Sequence, residues 1–295
     1  MEVKTIDYVV PMVFHNDKLW QEDFMKVNSR FDETNPYDFV RFRSWGTEHH
    51  LIRCVKKFMP FVRTIYIILA RESQKQPWMD EEDVRVVYHR DFIPEKFLPT
   101  FNSCAIEMFL YLLPDLSERF IYGNDDVFPF TTLRENDFFE GDIPCLMHGI
   151  KPYPLIPNIF HRSCQNGQMF VAKEFGVDWS NVLVRGGHSL TPMLKSTWEY
   201  LWRIGKSEIE NSVSPFRECK NFNQWLCPWW HYLSGDYIER VPSKSYVSTK
   251  NSVEDVVKAI NDCKGLLCIN DNECENDYMK YGRAVIEAIE NKLNS

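Results

Sequence analysis

Two adjacent carboxylates, Asp125 and Asp126, follow Asn124 at the end of a short apolar run, Arg119 to Gly123 (RFIYG). Hard oxygen donors of this kind can hold magnesium or manganese against a diphosphate. One of the pair could instead accept the proton of an attacking hydroxyl. Both could equally close an Asx-type turn and do no chemistry. His188 stands in RGGHSLTP, where glycines let backbone approach a ligand and an imidazole can serve as acid, base or hydrogen-bond donor to phosphate. Arg217, in SPFR, offers a planar fork for phosphate oxygens, and Arg41 and Arg43 form a second cationic group. Each has an ordinary alternative, as a surface histidine or a surface ion pair.

The elements that must position these residues alternate in type. Ile6 to Val13 reads as a buried strand, and a polar segment from Asn16 to about Arg43 follows, with Asn35-Pro36 as a turn signal. Thr47 to Phe58 carries Leu51, Ile52, Val55 and Phe58 at helical spacing and is stopped by Pro60. Arg63 to Ala70 is a continuous β-branched run, as in a strand covered on both faces, and Val84 to Tyr88 is a shorter one. Asn102 to Leu113 reads as a helix ending at Pro114, and Arg119 to Gly123 as the next strand. Such alternation predicts an α/β fold with an at least partly parallel sheet. Ligands of such sheets bind beyond the carboxyl ends of the strands, which is where the acidic turn falls. The second half is less regular: Ser196 to Ile204 and Asn276 to Leu293 read as helices, and Pro144 to Phe160 as ordered loop. A single domain spanning 1–295 is the simplest organisation.

Composition removes several function classes. The 295 residues are 44% hydrophobic and 26% charged, which suits a packed enzyme rather than a disordered chain. A net charge of −8 without a basic tail or stripe argues against a nucleic-acid partner. The aromatic group Trp225, Trp229 and Trp230 could line a sugar site or simply fill the core. Nine cysteines include no Cys-x-x-Cys pair, and Cys263, Cys268 and Cys274 have the wrong intervals for zinc. That odd count, with no leader before the first strand, points to reduced thiols and a cytoplasmic setting. No apolar run approaches the length of a membrane span, so any membrane contact would be peripheral, at the inner face.

The segment from Arg41 to Phe130, with its LPTFNS…FIYGNDD string, closely resembles the second conserved region of the Stealth family of sugar-1-phosphate transferases. Ile6 to Pro11 resembles that family's opening strand; His188 to Trp198 with Phe216-Arg217 resembles its third region, and Cys268 to Asn272 its fourth. The resemblance implies transfer of a sugar-1-phosphate from a nucleotide diphosphate sugar, UDP-linked, to a hydroxyl of an acceptor glycan in capsule or exopolysaccharide synthesis. It implies a GT-A-like core, a nucleotide-binding half (1–135) and a second half (136–295) that completes the acceptor side. It also places Asp125 and Asp126 at a magnesium or manganese ion and the reacting phosphate, with His188 and Arg217 stabilising or relaying charge. Asp17, Arg41, Arg43, Asn102, Asn124, Asn221 and Asp271 then fall in motifs that would bind substrate. The chain departs from the family at Met12 to Asp17, where a Trp-Val-Asp/Asn-Gly-x-Asp string is usual, and at Asn221, where aspartate is common. A glycosyltransferase releasing a nucleoside diphosphate, or a non-catalytic glycan-binding subunit, would use the same core differently.

Overall fold

The computed structural model describes residues 5–28, 42–271 and 278–294. The chain opens with β1 (Ile6–Pro11) and α1 (Lys18–Val27), then α2 (Glu48–Phe58), β2 (Val62–Leu69) and β3 (Val84–Tyr88). Two short helices, α3 (His89–Phe92) and α4 (Ser103–Glu107), lead to β4 (Arg119–Tyr122) and β5 (Val127–Pro129). Next come β6 (Phe139–Glu140), β7 (Ile143–Leu146), β8 (Gly149–Pro152), α5 (Ile159–Glu174), β9 (Val182–Arg185) and β10 (Thr191–Leu194). The remainder comprises α6 (Lys195–Ser212), α7 (Leu226–Ser234), β11 (Ile238–Glu239), β12 (Lys244–Ser248), α8 (Val253–Asp262), β13 (Leu266–Asn270) and α9 (Tyr278–Asn294).

A five-stranded sheet runs in the order β10-β4-β1-β2-β3, parallel throughout except for β10. The mixed α/β expectation is therefore met. Successive side chains of a strand point to opposite faces, and here both faces are apolar. Tyr8, Val10, Ile65, Ile67 and Ile121 pack on one side with α2, α8 and α9. Val9, Tyr66, Ile68, Phe120 and Tyr122 pack on the other with α5, α6 and α7. The chain steps outward from β1 to β2 to β3 and then returns to place β4 on the far side of β1. That reversal leaves a crevice beyond the carboxyl ends of β1 and β4, the usual ligand position in an open α/β sheet.

A second, smaller sheet, β12-β13-β5, sits against the end of β4. Its middle strand comes from near the end of the chain, and its edge strand directly follows the acidic turn. Both sheets thus draw on both halves of the sequence.

Some predicted elements differ in detail. The helix expected from Asn102 to Leu113 stops after Glu107 and resumes as a single 3-10 turn at Leu110–Leu112. The Met108 carbonyl is taken by the Trp202 indole at 2.6 Å, which removes it from the helical ladder. The segment Pro144 to Phe160, expected as loop, contains most of β7, all of β8 and the first two residues of α5. Helix α1 lies inside the expected polar segment, with only Trp20 and Phe24 buried. Arg41 lies outside the described residues.

At the amino ends of the strands, fully buried Asp7 receives both arms of Arg63 at 2.9 and 2.8 Å and the Ser117 backbone N–H at 2.7 Å. This carboxylate ties β1, β2 and the approach to β4 together. Removing the cation leaves an unpaired buried charge. Arg63→Ala is expected to lower the unfolding free energy by about 3 kcal/mol, measured by urea denaturation with an unchanged slope.

Candidate active site

Strand β4 ends in Gly123, and its geometry is dictated by Tyr8 of the neighbouring strand. A Cβ at Gly123 would lie 2.2 Å from the Tyr8 hydroxyl oxygen, so only glycine fits. The next residues form a turn closed by Val127 N–H donating to the Asn124 carbonyl at 3.2 Å. The turn reading is thus correct as geometry, but the side chains are not consumed by it. Asn124 Oδ1, Asp126 Oδ1 and the Tyr8 hydroxyl are buried without a hydrogen-bond partner in the structure.

Asp126 is held from the second sheet. Its carbonyl accepts from Ile269 N–H at 2.8 Å, and its Oδ2 accepts from Asn270 Nδ2 at 3.1 Å and the Cys268 thiol at 3.3 Å. Burial, then the Asp126 charge, push the Cys268 thiol well up, so it donates rather than coordinates. His188 faces the same point from the loop between β9 and β10, where Gly187 has φ +80°. Donor atoms of Asp126, His188 and Cys268 lie within 4.8 Å of one another. The two orphaned oxygens Asp126 Oδ1 and Asn124 Oδ1, as hard donors, together with the His188 imidazole fit a divalent cation.

Asp125 opens onto the crevice. Burial, then the Asp126 and Glu48 carboxylates, push its pKa up to about 7. Its side chain is exposed by surface area despite the protein packed around the turn. The charge contribution from its acidic neighbours is therefore the firmer cause. Arg217, on the loop after α6, opposes that charge and donates to Ser103 Oγ at 2.8 Å.

Three adjoining cavities meet at this point, and Asn124 and Arg217 line all of them. The largest, about 610 Å³, also takes Asp125, Asp126, His188, Arg43 and Asp271 into its wall. A second of about 400 Å³ is lined by Glu107, Asn158, Arg185, His188, Asn223 and Trp225, among others. The third, about 160 Å³, lies at the ends of β1 and β2 between Trp20, Phe42, His89 and Phe101. Burial holds His89 neutral, its pKa lowered to about 4.

The other predicted site residues have distinct places. Arg43 pairs with Asp271 in a two-pronged contact, Nη2 to Oδ1 at 2.7 Å, and stacks 4.3 Å above the Tyr278 ring. Asn102 is fully buried and spends its amide N–H bonds on the Ser214 and Phe216 carbonyls and on Asn221 Oδ1, at 3.0, 3.1 and 3.1 Å. Asn221 in turn donates to the Ser212 carbonyl and Ser214 Oγ. These two amides hold the Arg217 loop. Asp17 caps α1, accepting from Trp20 N–H at 2.7 Å and Ser73 Oγ at 2.9 Å, and does not line these cavities. Of the tryptophans, Trp225 reaches a cavity wall, while Trp229 is wholly buried with its indole on the Val184 carbonyl.

Glu107 was not predicted. It is 4% exposed and accepts from Tyr122 O–H at 3.1 Å and Gln224 N–H at 2.7 Å. Burial raises its pKa to about 7. A lone carboxylate inside the apolar run IEMFLYL was the available signal.

The family model described as Stealth protein CR2, conserved region 2, matches residues 41–145. The chain is 30% identical over 99% of its length to a capsular polysaccharide phosphotransferase, WcwK, of Streptococcus pneumoniae, covering 96% of that protein. It is 30% identical over 90% of its length to the receptor polysaccharide phosphotransferase WefC of Streptococcus oralis, covering 90% of that protein. A capsular polysaccharide phosphotransferase of Neisseria meningitidis serogroup B matches at 33% over 78% of this chain and 65% of its own. Among solved structures, galactosyltransferase LgtC in complex with donor and acceptor sugar analogs aligns over 97% of this chain and 95% of its own. That alignment has 10% identity and a TM-score of 0.40, too distant to bear on the chemistry. The full-length relatives make this α/β protein an enzyme of the phosphotransferase class. It belongs to the Stealth family of bacterial phosphotransferases.

Two outcomes test the site's physics. Between pH 4.5 and about 7 the native state holds a proton on Glu107 that the unfolded chain releases, so stability falls as pH rises through that window. Glu107→Gln is expected to flatten this decline by roughly 2–3 kcal/mol, read from urea unfolding at several pH values. Gly123→Ala is expected to displace the acidic turn and cut kcat/KM at least about tenfold, with a smaller change in Tm.

Proposed function

We propose that this enzyme moves a sugar-1-phosphate from a nucleotide diphosphate sugar to a hydroxyl of an acceptor glycan, forming a phosphodiester and releasing a nucleoside monophosphate. The observation that carries the reading is the junction of three cavities on Asn124 and Arg217. A group transfer needs separate room for a nucleoside, a transferred sugar and an acceptor, with the reacting phosphorus where they meet. The small aromatic branch beside Trp20, Phe42 and Phe101 suits a flat base. The 400 Å³ branch combines amide side chains, Glu107 and Trp225, a lining suited to a sugar ring. The 610 Å³ branch, wide and polar, suits an acceptor glycan. The chain acts as one catalytic domain: residues 1–135 hold the nucleotide and 136–295 complete the acceptor side.

A magnesium or manganese ion at Asp125 and Asp126 would neutralise diphosphate oxygens. Asp126 is oriented for that by Asn270 and Cys268, and Asn124 Oδ1 adds a neutral oxygen. Arg217 binds the equatorial phosphate oxygens with two donors and stabilises their charge as the acceptor oxygen approaches. His188 takes the acceptor hydroxyl proton as the new phosphorus–oxygen bond forms and the bond to the nucleoside monophosphate breaks. Asn102 and Asn221 keep Arg217 aimed by fixing its loop. Arg43, locked to Asp271, closes the acceptor wall. Binding energy is therefore directed at phosphorus rather than at the anomeric carbon.

Incubation with a panel of nucleotide sugars, a divalent cation and an acceptor glycan distinguishes the reactions by the nucleotide released. Monophosphate is expected; diphosphate would identify an ordinary glycosyltransferase instead. Asp126→Asn, His188→Ala and Arg217→Ala are each expected to lower kcat by about 10²–10³ with the fold retained. Absence of turnover by the wild type, with cellular polymer production unchanged in all three variants, would leave a glycan-binding subunit as the better description.

A further inference from the structure

The segment joining β7 to α5 carries the barest apolar side chains among the described residues. Leu155 and Ile156 are 99% and 91% exposed, and Ile150, Ile159 and Phe160 are exposed beside them. Scattered exposed apolar residues are ordinary, but a contiguous group marks a contact surface. Pro152, Pro154 and Pro157 restrict this stretch. Pairing of β8 with β9 anchors one end, and the Asn158 cap on α5 anchors the other. The tip is thus held out from the body rather than left free to fold back.

Charge singles out the same stretch. From Ile143 to Lys173 there is no aspartate or glutamate, in a chain that has 42 of them and a net charge of −8. Lys151 is exposed on β8, Arg162 lies in the first turn of α5, and Arg185 pairs with Gly149 from β9. The acidic groups that share a cavity wall with Ile159 and Phe160 are Glu107, which is buried, and Glu218. An apolar tip ringed by cations matches the surface of a bilayer with anionic headgroups. A finger of this size cannot supply the roughly 800 Å² per partner of a stable protein interface, whereas a bilayer accepts a tip without shape complementarity.

We propose that residues 150–162 dock this enzyme on an anionic membrane surface, with Leu155 and Ile156 entering the headgroup boundary and Lys151 and Arg162 meeting lipid phosphates. Phe160 of the same segment lines both the 400 and 610 Å³ cavities, so docking turns the mouth of the cleft toward the bilayer. Acceptors presented at that surface then reach the site without diffusing through solution.

The test sediments the full-length protein with vesicles of phosphatidylcholine containing phosphatidylglycerol, and with vesicles of phosphatidylcholine alone. Binding to the anionic vesicles, weakened by salt, is expected. Leu155→Glu with Ile156→Glu is expected to cut partitioning at least about tenfold, leaving thermal unfolding and turnover of a soluble acceptor unchanged. A single Leu155→Trp variant is expected to show a blue-shifted emission on adding anionic vesicles. Absence of wild-type binding, or equal binding by the double variant, overturns the proposal. So does a concentration-dependent dimer that the double variant abolishes, since the patch would then serve a second copy. Sedimentation needs no catalysis, so its result stands apart from the functional reading above.

Discussion

The arrangement of the cleft at the strand ends depends on one buried amide. Asn102 caps α4 through its oxygen, accepting from Cys104 N–H at 3.1 Å, and spends its nitrogen on the loop that carries Arg217. These partners are more than a hundred residues apart in sequence. Each bond alone contributes on the order of 1 kcal/mol, but the group is buried, so its bonds must be made together or an unpaired polar atom remains. Phe101 and Phe216, stacked at 5.4 Å, reinforce the same crossing with apolar contact. Through this clamp a guanidinium from the second half of the chain is brought to the ends of strands from the first.

Electrostatics at the junction are unfavourable even with Arg217 opposing the acidic charge. Asp125, Asp126 and Glu48 crowd one turn, and the Tyr8 hydroxyl and Asn124 amide oxygen are left unbonded beside them. A surface built for stability alone would have paired these groups. The fold holds them because Gly123 and Tyr8 lock the turn from below and β13 locks it from the side. Repulsion of this kind favours a group that brings positive charge to the turn.

Legibility of the sequence followed burial. Strands such as VRTIYIIL, covered on both faces, announce themselves through composition alone, and the predicted bounds of β2 and β3 lie within a residue of those observed. Helices of the second half were harder. α5 and α7 carry glutamine, glycine and tryptophan on faces that are buried by other helices, which blurs the period-3.6 pattern. The acidic turn, His188, Arg217, Arg43 and Asp271 were all readable as residues of one family pattern, and they line one cavity. Asn102 and Asn221 were visible only as members of motifs; that they brace rather than protrude depends on long-range hydrogen bonds that no local spacing encodes. Glu107 escaped notice because it shares its helix with apolar neighbours and acquires its surroundings from Gln224, far along the chain.

The pairing of β5 with β13 sets a clock on when the cleft can exist. Asp126 obtains its bracing from residues 268–270, more than 140 residues later in the chain. During synthesis from the N-terminus, the main sheet can form β1 to β4 long before that strand emerges. A nascent chain therefore carries its acidic turn without the strand that aims it, and the pocket is finished only once residues 268–270 have been made.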